Sequence, residues 1–522
     1  MIKETRVENG RLRGIRAADP RIISYKGIPY AAPPVGENRW RAPQPAQDWN
    51  GVLDCARFGP ISMQAPPGTD PTNLYAREWN VDPEIPMSED CLTLNIWTPA
   101  KTAEERLPVF VWYFGGGMVE GNPTEMEFNG ERIARRGIVV VTVNYRLNVF
   151  GFLAHPELTA EQPDFPTNFG CLDQTFATRW VKRNIAAFGG DPQRITIGGQ
   201  SAGGRSVQVQ LTSPLTEGLF QRAIIMSGIR YGGYHGINTH GFNRSMAQAE
   251  ADGEDFFRFA GIRNLAAARA MDAKTLVDLF YQYAGIGSGL GPGGKMWAPV
   301  NDGHYQVGHF SDRMIRGDRH MVPLMMSNTA TESWEVPDAK SVTELAAMAK
   351  KQFGADAPAF LETIRADTLE GMRQNARFSP MELGMRLYFE AAQRQDPQLK
   401  NWGALFAPSI PGWDNAGTFH SSDLWFVFET LACCWRPFTG RHYDLARQMC
   451  NYVSNFVICG DPNGPDADGT PMPEWRPYGA CRGQMRYSEQ GSTQLGDDQV
   501  TPVMKFLLGH YLSAVQDAEQ TT

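Results

Sequence analysis

Residues Ile195 to Ser206 read ITIGGQSAGGRS, three β-forming residues followed by four glycines, two serines and an alanine gathered around Gln200 and Ser201. Side chains this small are needed where the backbone turns too sharply to carry a Cβ on its flanks, and such a turn leaves one hydroxyl standing at its tip. Gly199-Gln200-Ser201-Ala202-Gly203 fits the G-x-S-x-G pattern, which seats a serine in a strained turn between a strand and a helix. A strand over Arg194 to Ile197 meets the first requirement. The second is less clean, because SVQVQL, from Ser206, alternates as a strand would.

Short continuous apolar runs surround this stretch. LPVFVWYF from Leu107 and GIVVVTVNY from Gly137 have the composition of strands buried on both faces of a parallel sheet. RITIG, RAIIMSG and VPLMMS continue the series, and WGALFAP from Trp402 adds another. Between them LDQTFATRWVKRNIAAFGG places Phe176, Trp180 and Ile185 at near-helical spacing and ends at Gly189. Alternating strands and helices predict an α/β layered fold around a mostly parallel sheet. The alanine-rich segments from Met246 to Tyr283 and Val342 to Gly354 predict helices inserted over one end of that sheet. With no internal repeat and no flexible linker, residues 1–522 are expected to form one domain.

Bulk properties narrow the function. At 522 residues, 42% hydrophobic and 20% charged, the chain can bury a large core. The net charge of -8 is spread without a basic stripe, which argues against nucleic acid or an anionic membrane as partner. The charged N-terminus MIKETRVENGRLRGIR lacks an apolar leader segment, and no aliphatic run is long enough to cross a bilayer, so a cytoplasmic location is expected. Eight cysteines in a chain of this length are expected to be mostly reduced and buried.

A serine hydroxyl needs an imidazole base, itself oriented by a carboxylate, to act as a nucleophile near neutral pH. In the fold that carries this turn the order is serine, acid, histidine, each on a loop after a later strand. Of nine histidines, His420, His442 and His510 lie beyond the place an acid after VPLMMS would occupy. His420 stands in a loop, NAGTFHSSDLWFVF, and the other two in helix-like surroundings. The acid is Glu332 or Glu335 in MMSNTATESWE, with Glu332 the shorter reach. An oxyanion hole also requires inward-pointing backbone N–H groups. Gly115-Gly116-Gly117, directly after a buried strand, supplies candidates, and the N–H of Ala202 is a further one. GLGPGGKM, from Gly289, nearly spells a phosphate loop, but Met296 stands where the metal-binding hydroxyl belongs. No histidine spacing suits a metal.

These blocks together resemble the type-B carboxylesterase and cholinesterase family of α/β-hydrolases. The likeness runs through YKGIPYAAPPVGENRWRAPQP, MSEDCLTLNIWTP, VWYFGGGMVEG, VTVNYRLNVFGFL, NFGCLDQTFATRWVKRNIAAFGGDPQRITIGGQSAGG, FQRAIIMSG, APVNDG, ATESW, FHSSDLWFVF and GDPNG. The resemblance implies an α/β-hydrolase fold with a large central sheet flanked by helices, and serine esterase activity on small-molecule esters without a cofactor or metal. It implies Ser201 as nucleophile, Glu332 as acid, His420 as base, and Gly116, Gly117 and Ala202 as oxyanion donors. Ser227 is similar to a family serine that hydrogen-bonds near the acid. Acyl hydrolases of amides or carbamates and non-catalytic adhesion proteins are the alternatives; the latter have lost the serine that this chain keeps.

The chain departs from the family at several places. Ser62 stands where the family has the cysteine that pairs with the one in SEDCL, leaving Cys91 without its usual partner unless Cys55 serves. Gln200 replaces the cholinesterase glutamate before the nucleophile, Phe114 replaces a histidine before the glycine triplet, and Met118 follows it. Trp79 lies close to the position of a cation-binding tryptophan, and Phe419 is one of several aromatics beside His420. Trp79, Phe114, Met118, Gln200 and Phe419 are therefore the expected substrate-binding residues, and neutral esters the expected substrates.

Overall fold

The computed structural model describes residues 1–66, 72–78, 84–232, 234, 244–285, 298–466 and 469–520, with backbone alone for 515–520. Its centre is an eleven-stranded sheet. In chain order the strands are β1 (Ile15–Arg16), β2 (Ile23–Pro29), β3 (Thr93–Thr98), β4 (Leu107–Tyr113), β5 (Val139–Val143) and β6 (Gly190–Gln200). They continue as β7 (Arg222–Met226), β8 (Leu324–Thr329), β9 (Asn401–Phe406), β10 (Met485–Ser488) and β11 (Gly491–Gln494). Across the sheet they run β11-β10-β9-β8-β7-β6-β4-β5-β3-β2-β1.

From β5 to β10 all neighbours are parallel, and antiparallel strands close both edges. The parallel strands are the apolar runs of the sequence. Val109, Val111, Val139, Val141, Ile195 and Ile197 are all fully buried, as expected where helices cover both faces. The sheet is thus large and mixed, with its parallel block in the middle.

The serine pattern falls between β6 and the helix Ala202–Thr212, at the carboxyl end of a central strand, where open α/β sheets place their ligand crevices. The strand is longer than the sequence indicates, starting at Gly190. The alternation of SVQVQL is not a strand. Val207, Gln208, Val209, Gln210 and Leu211 are all buried, in a helix where Arg205 alone is partly exposed. Its polar positions are interior too: the Gln208 amide donates to Gly228 O at 2.5 Å, and its Oε1 accepts from the Tyr388 hydroxyl at 2.9 Å. An all-round buried helix has no polar face, so the 3.6-residue signal is lost. The segment ending at Gly189 divides into a helix, Phe169–Asn184, and a 3₁₀ turn, Ile185–Phe188, closed by Gly189 at φ 79°.

The alanine-rich middle is helical over Met246–Ala260, Leu265–Ala270 and Ala273–Ala284. Phe256, Leu276 and Phe280 of these helices share a second apolar core with Met118, Val149 and Ala202, which anchors the insertion beside the serine turn. Cys55 and Cys91 are both free buried thiols, and Ser62 Oγ lies 3.4 Å from Cys91 Sγ. No helix among the described residues is long and apolar enough to cross a membrane.

Candidate active site

Ser201 occupies φ 56°, ψ -122°, a conformation that L-residues with a side chain avoid. The neighbours hold it there. Its N–H donates to Met226 O at 2.9 Å, and its carbonyl accepts the first turn of the helix from Arg205 N at 2.9 Å. Gly199 and Gly203 make the turn possible: a Cβ on Gly199 would fall 2.3 Å from Gly203 C, and one on Gly203 only 2.0 Å from Tyr113 O. The small residues therefore serve a close approach of strand, turn and helix.

Above the turn, Ser201 Oγ lies 2.7 Å from His420 Nε2. The other ring nitrogen, Nδ1, hydrogen-bonds Glu332 Oε2. A carboxylate at Nδ1 keeps the proton on that nitrogen and leaves Nε2 free to accept from the serine. Glu332 Oε1 is held in turn by the Ser227 hydroxyl at 2.8 Å and the Thr329 N–H at 2.6 Å. The Glu332 side chain is 1% exposed and that of His420 26%, so the acid is sealed while the base keeps an open edge. Burial pushes the His420 imidazole down, but the charge and hydrogen bond of Glu332 outweigh it and hold the ring above its ordinary value.

The competing candidates are placed elsewhere. Glu335 pairs with Arg230 at 2.7 Å and accepts from Tyr234 N at 3.0 Å. His442 accepts from Thr439 N at 2.9 Å and caps its own helix, and His510 pairs with Asp356 at 2.7 Å.

Gly115 to Gly117 emerge from β4 against the serine turn, close enough that a Cβ on Gly115 would lie 3.1 Å from Ser201 Cβ. Gly116 and Gly117 take φ 103° and 64°, and a Cβ on Gly116 would strike Glu120 O at 2.1 Å. Among the described residues, the N–H groups of Gly116, Gly117 and Ala202 donate to no protein acceptor. Ala202 is the first residue of a helix, so its N–H is among the donors a helix leaves unused. Unspent donors beside an activated hydroxyl suit a developing oxyanion.

The remaining expected residues divide. Phe114 is fully buried and stacked on Tyr145 at 4.3 Å between ring centroids, and Met118 is fully buried in the second core. Both flank the glycine triplet and are closed off from solvent. Gln200 is buried; its amide donates to Ser421 Oγ at 2.7 Å and lies 3.3 Å from His420 Nε2. Phe419 is 6% exposed and lies beneath the Arg436 guanidinium. Trp79 and the glycine-rich stretch from Gly289 to Met296 lie outside the described residues. Ser421, Thr329 and Arg436 carry no sequence signal, because each acts through a partner remote in the chain or through its backbone. Among the described residues no group of three or more His, Cys, Asp or Glu could hold a metal ion.

Comparison with known proteins gives a consistent set of relatives. The Carboxylesterase family profile matches residues 3–352. Fumonisin B1 esterase of Sphingopyxis macrogoltabida is 32% identical over 435 residues, 81% of this chain and 74% of that one. Para-nitrobenzyl esterase of Bacillus subtilis (strain 168) is 42% identical over 221 residues, 42% of each chain. Among solved structures, the Geobacillus stearothermophilus carboxylesterase EST55 superposes with a TM-score of 0.74 at 30% identity, covering 95% of this chain and 98% of that one.

Proposed function

The chain belongs to the carboxylesterase family and is a carboxylic ester hydrolase, and from that premise we propose that it cleaves neutral esters through an acyl-Ser201 intermediate. The observation that carries this reading is the unbroken chain from Ser201 Oγ through the His420 ring to Glu332. His420 Nε2 takes the hydroxyl proton as Ser201 Oγ attacks the ester carbonyl. The N–H groups of Gly116, Gly117 and Ala202 receive the tetrahedral oxyanion, and Glu332 stabilises the imidazolium. The imidazolium gives its proton to the departing alcohol, and a water activated by the same nitrogen then releases the acid.

The same reading takes residues 1–522 as one domain, supported by an apolar core that runs from Val7 to Leu512. It places the protein in the reducing cytoplasm, supported by eight free thiols. A serine-directed fluorophosphonate should label Ser201 stoichiometrically, and p-nitrophenyl butyrate should give a burst of one p-nitrophenol per labelled site. Labelling at another residue would overturn the assignment.

The preference for neutral esters rests on Gln200. A carboxylate beside the nucleophile would attract a quaternary ammonium alcohol in a low-dielectric cleft, whereas the Gln200 amide offers a dipole already committed to Ser421. Trp79 pulls the other way, since a face-on cation contact is worth about 2 kcal/mol when desolvated. The lost charge weighs more. In low salt, kcat/KM for butyrylthiocholine should therefore not exceed that for its uncharged 3,3-dimethylbutyl isostere by more than about tenfold, or ~1.4 kcal/mol. A larger cationic preference would transfer the decisive role to Trp79.

A further inference from the structure

His420 is carried by residues 407–423, a long segment with no helix or strand of its own between β9 and the helix Leu424–Val427. Such a segment must be pinned, because a general base misplaced by a fraction of an ångström loses rate steeply. Two pins have been described or lie close by: the Gln200 amide on Ser421, and Thr331 Oγ1 donating to Thr418 O at 2.8 Å. The third is Arg436, from beyond the next helix, whose side chain is fully buried.

Arg436 Nη1 donates to Pro411 O at 3.1 Å and Asp414 Oδ1 at 3.0 Å, and Nη2 donates to Asp414 Oδ2 at 3.0 Å. Its Nε reaches both oxygens of Glu78, at 3.0 and 2.9 Å. The guanidinium carbon Cζ lies over the ring of Phe419, the residue before His420, 5.0 Å from its centroid, and over that of Trp435, 4.6 Å from its centroid. Glu78, 1% exposed, also accepts from Trp425 Nε1 at 3.1 Å and Trp435 Nε1 at 3.3 Å. Arg77 beside it pairs with Asp414 at 2.8 Å.

A buried ion pair is a poor source of stability, because desolvation offsets most of its attraction, and well-packed apolar side chains would hold the segment as firmly. Its particular property is direction. A planar guanidinium hydrogen-bonded at two edges and lying over a ring fixes both the place and the tilt of what it holds. We propose that Arg436, gripping the segment through Asp414 and Pro411 and neutralised by Glu78, is a positioning residue that sets His420 against Ser201 and Glu332 by way of Phe419. It touches neither substrate nor the reacting atoms. This inference rests on the Ser201-His420-Glu332 reading above.

The test uses the full chain with Asp414→Asn, Asp414→Glu and Arg436→Lys, each assayed well below its melting temperature, with active sites counted by exhaustive fluorophosphonate labelling. Wild-type labelling away from Ser201 would mean the triad reading has failed; labelling at Ser201 isolates the positioning question. Asp414→Asn keeps the Arg436–Glu78 pair and should lower kcat per labelled site about tenfold or more, with KM within about twofold. It should also move the acid limb of kcat/KM to lower pH, because a loosened ring loses part of the Glu332 influence that raises its pKa. Asp414→Glu, which keeps a carboxylate for the guanidinium, should recover most of the rate. Arg436→Lys should lose at least as much as Asp414→Asn, since an ammonium is a point donor that cannot hold both Asp414 oxygens from one edge and Glu78 from another; if it does not fold, Asp414→Asn decides. A folded Asp414→Asn with wild-type kcat per site and an unmoved acid limb overturns the proposal. So does a Glu variant as impaired as the Asn variant.

Discussion

Ser201→Ala is expected to lower kcat by about 10⁶, the loss seen when the nucleophile of a serine triad is removed. The fold should survive, because alanine keeps the Cβ and the strained backbone at φ 56° is held by Met226 O, Gly199 and Gly203 rather than by the hydroxyl. Some catalysis over water should remain, since the substitution leaves in place the N–H groups of Gly116, Gly117 and Ala202, the proposed oxyanion donors. The measurement is steady-state turnover of p-nitrophenyl butyrate with the variant's melting temperature as control. Near wild-type turnover from a folded variant would remove Ser201 from the mechanism.

Glu332→Gln carries the second largest effect, a loss of up to about 10⁴ in kcat. An amide accepts the Ser227 and Thr329 hydrogen bonds at one end, so the loop should keep its shape. What it cannot do is stabilise the imidazolium, and its NH₂ group facing Nδ1 would favour the wrong tautomer. The pH profile should change as well. Glu332 holds the His420 pKa above its ordinary value, so in the wild type the base is lost to protonation as pH falls through that raised value. Without the carboxylate the residual activity should persist to lower pH. Glu335→Gln is the control, because Glu335 is bound to Arg230 and Tyr234 N and should affect stability far more than kcat per folded molecule. The reverse ranking of the two variants would move the acid role to Glu335.

The two substitutions draw on information of different kinds. Ser201 is legible from its own neighbourhood, because a nucleophile turn is a local object: strand, small residues and helix start all fall within Ile195 to Ser206. The buried parallel strands are legible for the same reason, since a strand covered on both faces must be apolar along its length. The helix after Ser201 is not, because a segment covered on all sides has no periodic contrast between faces. The acid is only half legible. Chain order and strand ends narrow it to Glu332 or Glu335, and three residues of loop decide which carboxylate turns inward.

What the sequence by itself determined is therefore whatever the chain must encode within one element: the turn at Ser201, the glycines after β4 and the strands of the sheet. The tertiary structure alone decided which side chains meet. Glu332 faces His420 because Ser227, 105 residues away, and the Thr329 N–H hold its other oxygen. Phe114 and Met118, expected among the substrate-binding residues, are fully buried on either side of the glycine triplet, because apolar bulk beside a glycine turn is more stably buried than exposed. Arg436 reaches Glu78 across 358 positions, a separation at which no local pattern survives. Hydrogen bonds and ion pairs between distant residues depend on the direction of each side chain in the finished fold, and direction is a property of packing, written in no single stretch of sequence.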